Sequence, residues 1–428
     1  MTGTTIAQAI PILLTPILTR LYSPDDFGVL ALFMAICLVF GSVASGRFEL
    51  AIPISKDKVD ALNIAFLGLV ISAILALIVF VNAIFFRTEI LNMLGEPKLD
   101  IWLYFFPAVI IFLGAYNVFN YLNIRDEKYN LISKSHVFKA TCMSGTQLSL
   151  GFNLSQASGL IIGYIFGQFV LSFKLAKPFI NKKNLLVLNK KKLLILFRRY
   201  RDFFYYSSLS ALLNVGSQQI PIILLGLYFS ASIAGFYSVA ARVLILPINV
   251  IGNSFGQVFF QKTSKCDSIF EVSRLTKKIV SKLIAIGFVP FSLVLVFGDK
   301  LSYYILGSEW ELAGVYMQYF SPWLYFVFIT SPITNVYATL EKQKLPLIFN
   351  SLSFFLRVIS IVLGYLYFED ANKVVILFGF VSFILWFSWH LFTLNVLKIK
   401  LFNQIILALI PICVLSSIIY FFRYSYGI

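Results

Sequence analysis

"ASIAGFYSVAARVLILPINVIGNSFGQVFF" (231–260) carries a single charged residue, Arg242, in an otherwise apolar or uncharged run. At 1.5 Å per residue a helix of this length more than spans the ~30 Å hydrocarbon core of a bilayer. The apolar residues are continuous rather than alternating, which selects a helix over a barrel strand. A guanidinium inside such a run costs at least ~2.5–3.5 kcal/mol on insertion scales, so Arg242 needs either a partner or a task.

The same pattern recurs along the chain. A 428-residue sequence with 59% hydrophobic residues, 13% charged residues and a mean hydropathy of +0.86 lies outside the soluble globular class. The sequence predicts an all-α polytopic membrane protein of 12–14 transmembrane helices. Thirteen are counted, at 3–20, 28–46, 60–86, 101–122, 134–155, 157–176, 203–228, 232–258, 279–299, 314–339, 346–368, 373–396 and 401–422. The first begins almost at Met1 and contains Pro11 and Pro16. It reads as a broken transmembrane helix, not a cleaved signal peptide, which needs a basic start and a small-residue cleavage site. Cys37, Cys142, Cys266 and Cys413 stand singly with no C-x-x-C spacing, so neither a disulfide framework nor a metal site is expected.

Charge sets the orientation. With the N-terminus inside, 24 of the 35 basic residues fall on cytoplasmic connections, six on the opposite side and five within spans, which places the N-terminus in the cytoplasm. The net charge of +16 is then mostly a topology signal drawn to anionic inner-leaflet lipid, and nucleic acid is not an expected partner. "NKKNLLVLNKKKLLILFRRYR" (181–201) reads as an amphipathic surface helix linking two halves. Its alternative role is to hold the anionic head of a lipid-linked substrate.

That basic segment lies near the chain's midpoint. "QAIPILL" (8–14) aligns with "QQIPIIL" (218–224), matching at Gln8, Ile10, Pro11, Ile12 and Leu14, a short internal similarity. Six spans precede the segment and six follow it before an extra helix, so the halves run in the same direction. The expected organisation is a six-helix lobe at 1–176, a basic cytoplasmic linker at 177–202, a second six-helix lobe at 203–400 and an additional helix at 401–428. In transporters, parallel-related bundles of this kind enclose the substrate path between them. Gly159, Gly163 and Gly167 in "GLIIGYIFG" (159–167) form a small-residue stripe suited to close helix packing in the first lobe.

Arg242 lies roughly 15 Å from the outer end of its span, and Arg357 sits about as deep in "PLIFNSLSFFLRVISIVLGYLYF". Neither can snorkel from the midplane to an interface, whereas Lys139, Lys174 and Lys282 lie near span ends. Arg47 and Glu49 close the inner end of the second span, and Arg20 closes the outer end of the first. Of the 19 carboxylates only Glu49 is expected near a span interior. Arg242 and Arg357 are therefore expected to face a water-filled cavity that takes an anionic ligand through the bidentate guanidinium fork. Glu49 reads as an ion-pair partner of Arg47 or as a gating group. His136 and His390 are expected near the cytoplasmic interface, and Trp102 and Trp310 in an aromatic belt.

"LTRLYSPDDFGVLALF" (18–33), "GRFELAIPIS" (46–55) and "GFYSVAARVLILPINVIGNSFGQVFF" (235–260) resemble the Wzx-type polysaccharide flippases of the multidrug/oligosaccharidyl-lipid/polysaccharide (MOP) exporter superfamily. The resemblance implies two six-helix bundles around a central cavity that alternate between inward-open and outward-open states. It also implies an undecaprenyl-pyrophosphate-linked oligosaccharide as the substrate, moved across the bacterial inner membrane for O-antigen or capsule assembly, with other polysaccharide assembly proteins as partners. Cavity arginines of the family correspond to Arg20, Arg47 and Arg242; Arg357 and Lys139 join this cationic set by depth alone. Thirteen spans depart from the family's usual twelve or fourteen.

Two alternatives remain at this stage. A multidrug antiporter of the same superfamily would need buried carboxylates for cationic drugs, and none occurs between Thr2 and Thr19. A polymerase or acyltransferase of the same pathway would need an external loop bearing acid–base groups, and the external connections at about 87–100 and 300–313 are short. No phosphate-binding loop of the G-x-x-x-x-G-K-[ST] kind is present. No catalytic residue, cofactor or metal is expected; coupling to a proton or sodium gradient is one of several energy sources the sequence leaves open.

Overall fold

The structure, a computed structural model, describes residues 2–55, 57–154, 156–181, 189–263, 266, 268–340, 342 and 344–426. Residues 182–188 of the basic segment thus lie outside the described residues. Among those described there are helices and no strands. Ten helical stretches are long and apolar enough to cross a membrane, and the protein is a multi-pass membrane protein.

The first expected span is two helices, α1 (Thr2–Leu13) and α2 (Thr15–Leu21). Pro16 enters at the start of α2, where its missing N–H costs little, and the Thr15 hydroxyl donates to the Pro11 carbonyl at 2.8 Å across the break. Then follow α3 (Pro24–Gly41), α4 (Lys58–Phe85), α5 (Arg87–Leu94), α6 (Phe106–Arg125), α7 (Tyr129–Leu154) and α8 (Ala157–Ala176). The basic α9 (Lys190–Asp202) runs through a π-turn at Phe203–Ser207 into α10 (Ser208–Tyr228). Beyond it lie α11 (Ala231–Pro247), a π-turn after Pro247, α12 (Asn253–Thr263), α13 (Ile269–Leu306) and α14 (Glu311–Thr330). The short α15 (Val336–Thr339), α16 (Lys344–Phe368), α17 (Ala371–Val396) and α18 (Leu401–Tyr426) complete the chain.

Helices thus occupy all thirteen expected positions, and three of them fall outside the ten most apolar. The broken first stretch is short, α7 carries lysines and many hydroxyl and amide side chains, and α14 carries three tyrosines, one tryptophan, Gln318 and Pro322. Two expected boundaries move. The second span ends at Gly41 rather than 46, because the chain turns through left-handed Gly46 and Arg47 into a 3₁₀ turn at Phe48–Ala51. The ninth starts ten residues earlier than its apolar core, since Ser268 caps the helix by accepting from the Glu271 N–H at 3.3 Å, and its basic first turns extend the helix beyond the hydrocarbon length.

The chain forms two compact units, Met1–Gly235 and Phe236–Ile428, and the division falls within α11. This lies downstream of the basic segment at which the sequence divides the lobes, and α10 packs on α3 in the first unit.

In the first unit, Ser23 and Asp26 form a reciprocal cap that starts α3. Asp26 also accepts from the Ala157 N–H at 2.8 Å, which fixes the start of α8 against α3. The glycine stripe of α8 lies on α7 as expected: a Cβ on Gly163 would sit 2.4 Å from Gln147, and one on Gly167 2.9 Å from Met143. Phe33 stacks on Phe106 at 4.7 Å and meets Trp102 and Tyr164 edge-on. The apolar face of α9 is buried through Leu196 against Phe48, Ile52 and Leu62, while Lys191, Arg198, Arg199 and Arg201 stay exposed. Lys192 pairs with Asp60 at 2.5 Å. The amphipathic helix expected here therefore exists and is docked on α4.

In the second unit, α13 and α14 cross backbone to backbone at Gly298 and Gly314, where a Cβ on Gly314 would meet the Gly298 carbonyl at 2.2 Å. Tyr237, Phe320, Trp323 and Phe378 interlock edge to face. Trp102 and Trp310 are buried, so both are packing residues and not belt residues; Trp310 meets Phe236 at 5.9 Å. His390 is likewise buried rather than interfacial, its Nδ1 bonded to the Thr330 hydroxyl at 2.9 Å.

Candidate functional site

Four of the six residues singled out in the sequence lie in the first unit. Arg20 occupies the last turn of α2 and is exposed; its charge is favourable to the helix C-terminus. It makes no side-chain hydrogen bond or ion pair with a described residue. Arg47 is held in left-handed geometry (φ 60°) in the turn after α3, and its Nη1 lies 3.4 Å from Glu49 Oε1. The Ser45 hydroxyl donates to Glu49 Oε2 at 2.5 Å. Glu49 is almost fully buried, and burial pushes its carboxyl above the ordinary 4.5 against the opposing pull of Ser45 and Arg47. The structure thus joins Arg47 and Glu49 locally. Lys139 on α7, half-buried, donates to Gln168 on α8 at 3.1 Å and takes no part in that pair.

A clamp that the sequence did not signal holds this turn in place. Arg125, the last residue of α6, donates to the carbonyls of Ile52 at 2.8 Å and Ser55 at 2.6 Å. One guanidinium therefore satisfies carbonyls of the irregular 48–55 segment and ties it to the end of α6. An arginine at a helix end is an ordinary sequence feature, and nothing in its spacing announces such a partner.

The second unit holds Arg242 and Arg357. Arg242 is on α11, one turn and a half before Pro247, half-buried, with no hydrogen bond or ion pair to any described residue. Arg357 on α16 is buried at 9% exposure, with its Cζ 4.8 Å from the Trp323 ring and 5.9 Å from the Phe378 ring. Its Nε and Nη2 have no hydrogen-bond partner. The two arginines are therefore different objects: one half-buried without a bonded partner among the described residues, the other enclosed by aromatic faces.

A buried carboxylate besides Glu49 lies in the second unit. Asp299 on α13 is buried and takes Arg423 Nη2 at 2.5 Å and Nη1 at 3.2 Å, with Gln318 Nε2 at 3.0 Å. This pins α18 to α13 and α14. Residues 124 apart carry no local signal of such a contact in the sequence.

Chemically, the free guanidinium of Arg242 offers two parallel N–H donors suited to a phosphate oxygen pair. No group of three or more His, Cys, Asp or Glu able to hold a metal occurs among the described residues.

Residues 17–314 match the family described as polysaccharide biosynthesis protein. The chain belongs to this family. Its fold is that of the MOP superfamily transporters. The chain is similar to the lipid II flippase MurJ in an inward closed conformation, with a TM-score of 0.73 at 14% identity over 98% of this chain and 99% of that one. It is also similar to an inward-facing multidrug resistance MATE family transporter, with a TM-score of 0.68 at 14% identity over 93% and 95%. A third likeness is to a mutant of the Vibrio cholerae MATE transporter VcmN, with a TM-score of 0.57 at 15% identity over 94% and 95%. No curated protein sequence matches the chain.

Proposed function

We propose that this family member is a flippase that carries an undecaprenyl-pyrophosphate-linked oligosaccharide from the cytoplasmic to the outer leaflet of the bacterial inner membrane by alternating access, for O-antigen or capsular polysaccharide assembly. The observation that carries the reading is Arg242: a mid-helix guanidinium, half-buried and without an acceptor among the described residues. A cation left in that condition costs free energy unless a ligand offsets it. A pyrophosphate supplies the matching acceptor. Membership of the polysaccharide biosynthesis family and a fold shared with a lipid II flippase support a lipid-linked substrate.

Arg20, exposed at the end of α2, is the second proposed phosphate contact. Arg47 and Lys139 contribute positive potential from engaged positions, and enclosed Arg357 makes no substrate contact in this reading. The lobes at 1–176 and 203–400, the 177–202 linker and the extra helix at 401–428 are the moving parts of this reading, with the N-terminus cytoplasmic. Buried Glu49 is the group through which a proton gradient would act. The reading assigns transport and no catalysis to this chain.

The test is surface polysaccharide export, normalised to membrane protein level, for Ala, Lys and Met at position 242. Arg242→Ala and Arg242→Met should abolish export at normal abundance, and Arg242→Lys should retain part, because a lysine keeps the charge and loses the fork. Near-normal export by Arg242→Met removes the phosphate-binding role.

A further inference from the structure

Arg357 is a buried cation with no carboxylate bonded to it, and its polar neighbours are hydroxyls and an indole N–H, none of which carries a negative charge. Trp323, one ring face of which lies 4.8 Å from the Arg357 Cζ, has an indole N–H that is buried without a hydrogen-bond partner. Ser353, one helical turn before Arg357 on the same face of α16, has a buried hydroxyl without a partner. So does Ser382, one turn beyond Phe378 on α17, whose ring is 5.9 Å from the same Cζ. Ser360 is not available in this way, because it donates to the Arg357 carbonyl at 2.8 Å. Three helices, α14, α16 and α17, therefore carry, within one helical turn of the Arg357–Trp323–Phe378 contact, a guanidinium with two unbonded nitrogens, an indole N–H and two hydroxyls, and no carboxylate bonds to any of them.

The two aromatic rings attract the guanidinium through their faces, but a ring face accepts no in-plane N–H. The remaining donors stay unsatisfied, and a buried cation without a counter-charge is among the most destabilising groups a fold can hold. The atoms in question are sealed from the surface, so the head of a lipid-linked substrate does not fit. A monatomic anion suits these donors better: it has no fixed geometry, accepts from any direction and brings the single negative charge that Arg357 lacks.

We propose that Arg357, Trp323, Ser353 and Ser382 form a site for a small monovalent anion, chloride being the physiological example, inside the second unit. The site is independent of the flippase reading and stands or falls separately from it. Its role is to neutralise Arg357 and hold α14, α16 and α17 together.

The purified full-length chain is melted in detergent at constant ionic strength while chloride replaces gluconate, which is too bulky to enter. The melting temperature should rise and saturate with chloride in the wild type, and should not respond in Arg357→Met. Because Arg357→Met removes the buried charge and can alter folding, a second reading uses Trp323 emission, isolated as the difference between wild type and Trp323→Phe. Iodide should quench that component saturably, chloride should compete with it, and Ser353→Ala/Ser382→Ala should weaken the competition by at least ~tenfold, about 1.4 kcal/mol. Equal melting in chloride and gluconate, or quenching that is linear in iodide and indifferent to chloride, would mean that water alone satisfies these donors and would overturn the site.

Discussion

Adding one methyl group at Gly28 should destabilise the first unit, whereas adding one at Gly145 should stabilise it. Both glycines are helical, so local preference alone favours alanine at each by up to ~1 kcal/mol. Their surroundings reverse the outcome at Gly28. A Cβ there would sit 1.7 Å from the Ala231 carbonyl oxygen and 2.3 Å from its carbon, both well inside the 3.4 Å at which ordinary contact begins. The obstacle is backbone, which cannot rotate aside, and from the other helix Gly235 would meet the Pro24 carbonyl at 2.0 Å. The Ser232 hydroxyl donating to Asp25 at 3.2 Å anchors the same crossing. Separating the helices forfeits that bond and the packing around it. Overpacking of this kind costs ~1–3 kcal/mol, occasionally more, which outweighs the gain in helix preference. At Gly145 nothing lies within 4 Å. The assay is thermal unfolding of each purified variant, followed by intrinsic fluorescence, with the monodisperse yield as a check. Gly28→Ala should melt below wild type and Gly145→Ala at or above it. Equal melting of Gly28→Ala and wild type would refute the backbone contact.

Removing Arg423 should be costly, because Asp299 then remains buried without its cation; a loss of ~3–5 kcal/mol follows from broken buried pairs. Replacing both by Leu should recover most of that loss in the same melt. Glu49 gives a pH signature. Its folded-state pKa is raised above 4.5 by burial, so the unfolded chain ionises first. Stability contributed by this group is therefore highest below 4.5 and declines as pH rises from there to the raised value. Glu49→Gln cannot ionise, so its melting temperature relative to wild type should increase across that window; a flat difference rejects the assignment. Cys266 tests the topology as it stands: an impermeant maleimide should label it in inverted vesicles and not in intact spheroplasts, and the opposite result reverses the orientation.

Hydrophobic run length made the helices legible, since thirteen stretches needed only continuous apolar residues and breaks at proline. The glycine stripe 159–167 was readable for the same reason, as spacing along one helix fixes one face. Boundaries were less legible: nothing local showed that α3 stops at Gly41, because the left-handed turn at Gly46 and Arg47 is stabilised by burial of Phe48 and by the Arg125 clamp. The site divided along the same line. Arg47 and Glu49, two residues apart, could be paired from sequence. Arg423 with Asp299, and Arg357 with Trp323, could not, because their contacts exist only once separate helices pack. Depth in a span placed Arg242 and Arg357 together; their surroundings set them apart.

The most direct test is transbilayer movement itself. Liposomes containing the purified chain and a pyrophosphate-linked oligosaccharide are probed from outside with a sugar-binding protein that cannot cross the bilayer. Wild type should make the inner-leaflet pool accessible over time, and Arg242→Met should leave it at the level of protein-free liposomes. Wild type that moves no more than protein-free liposomes, or Arg242→Met that moves as much as wild type, contradicts the account.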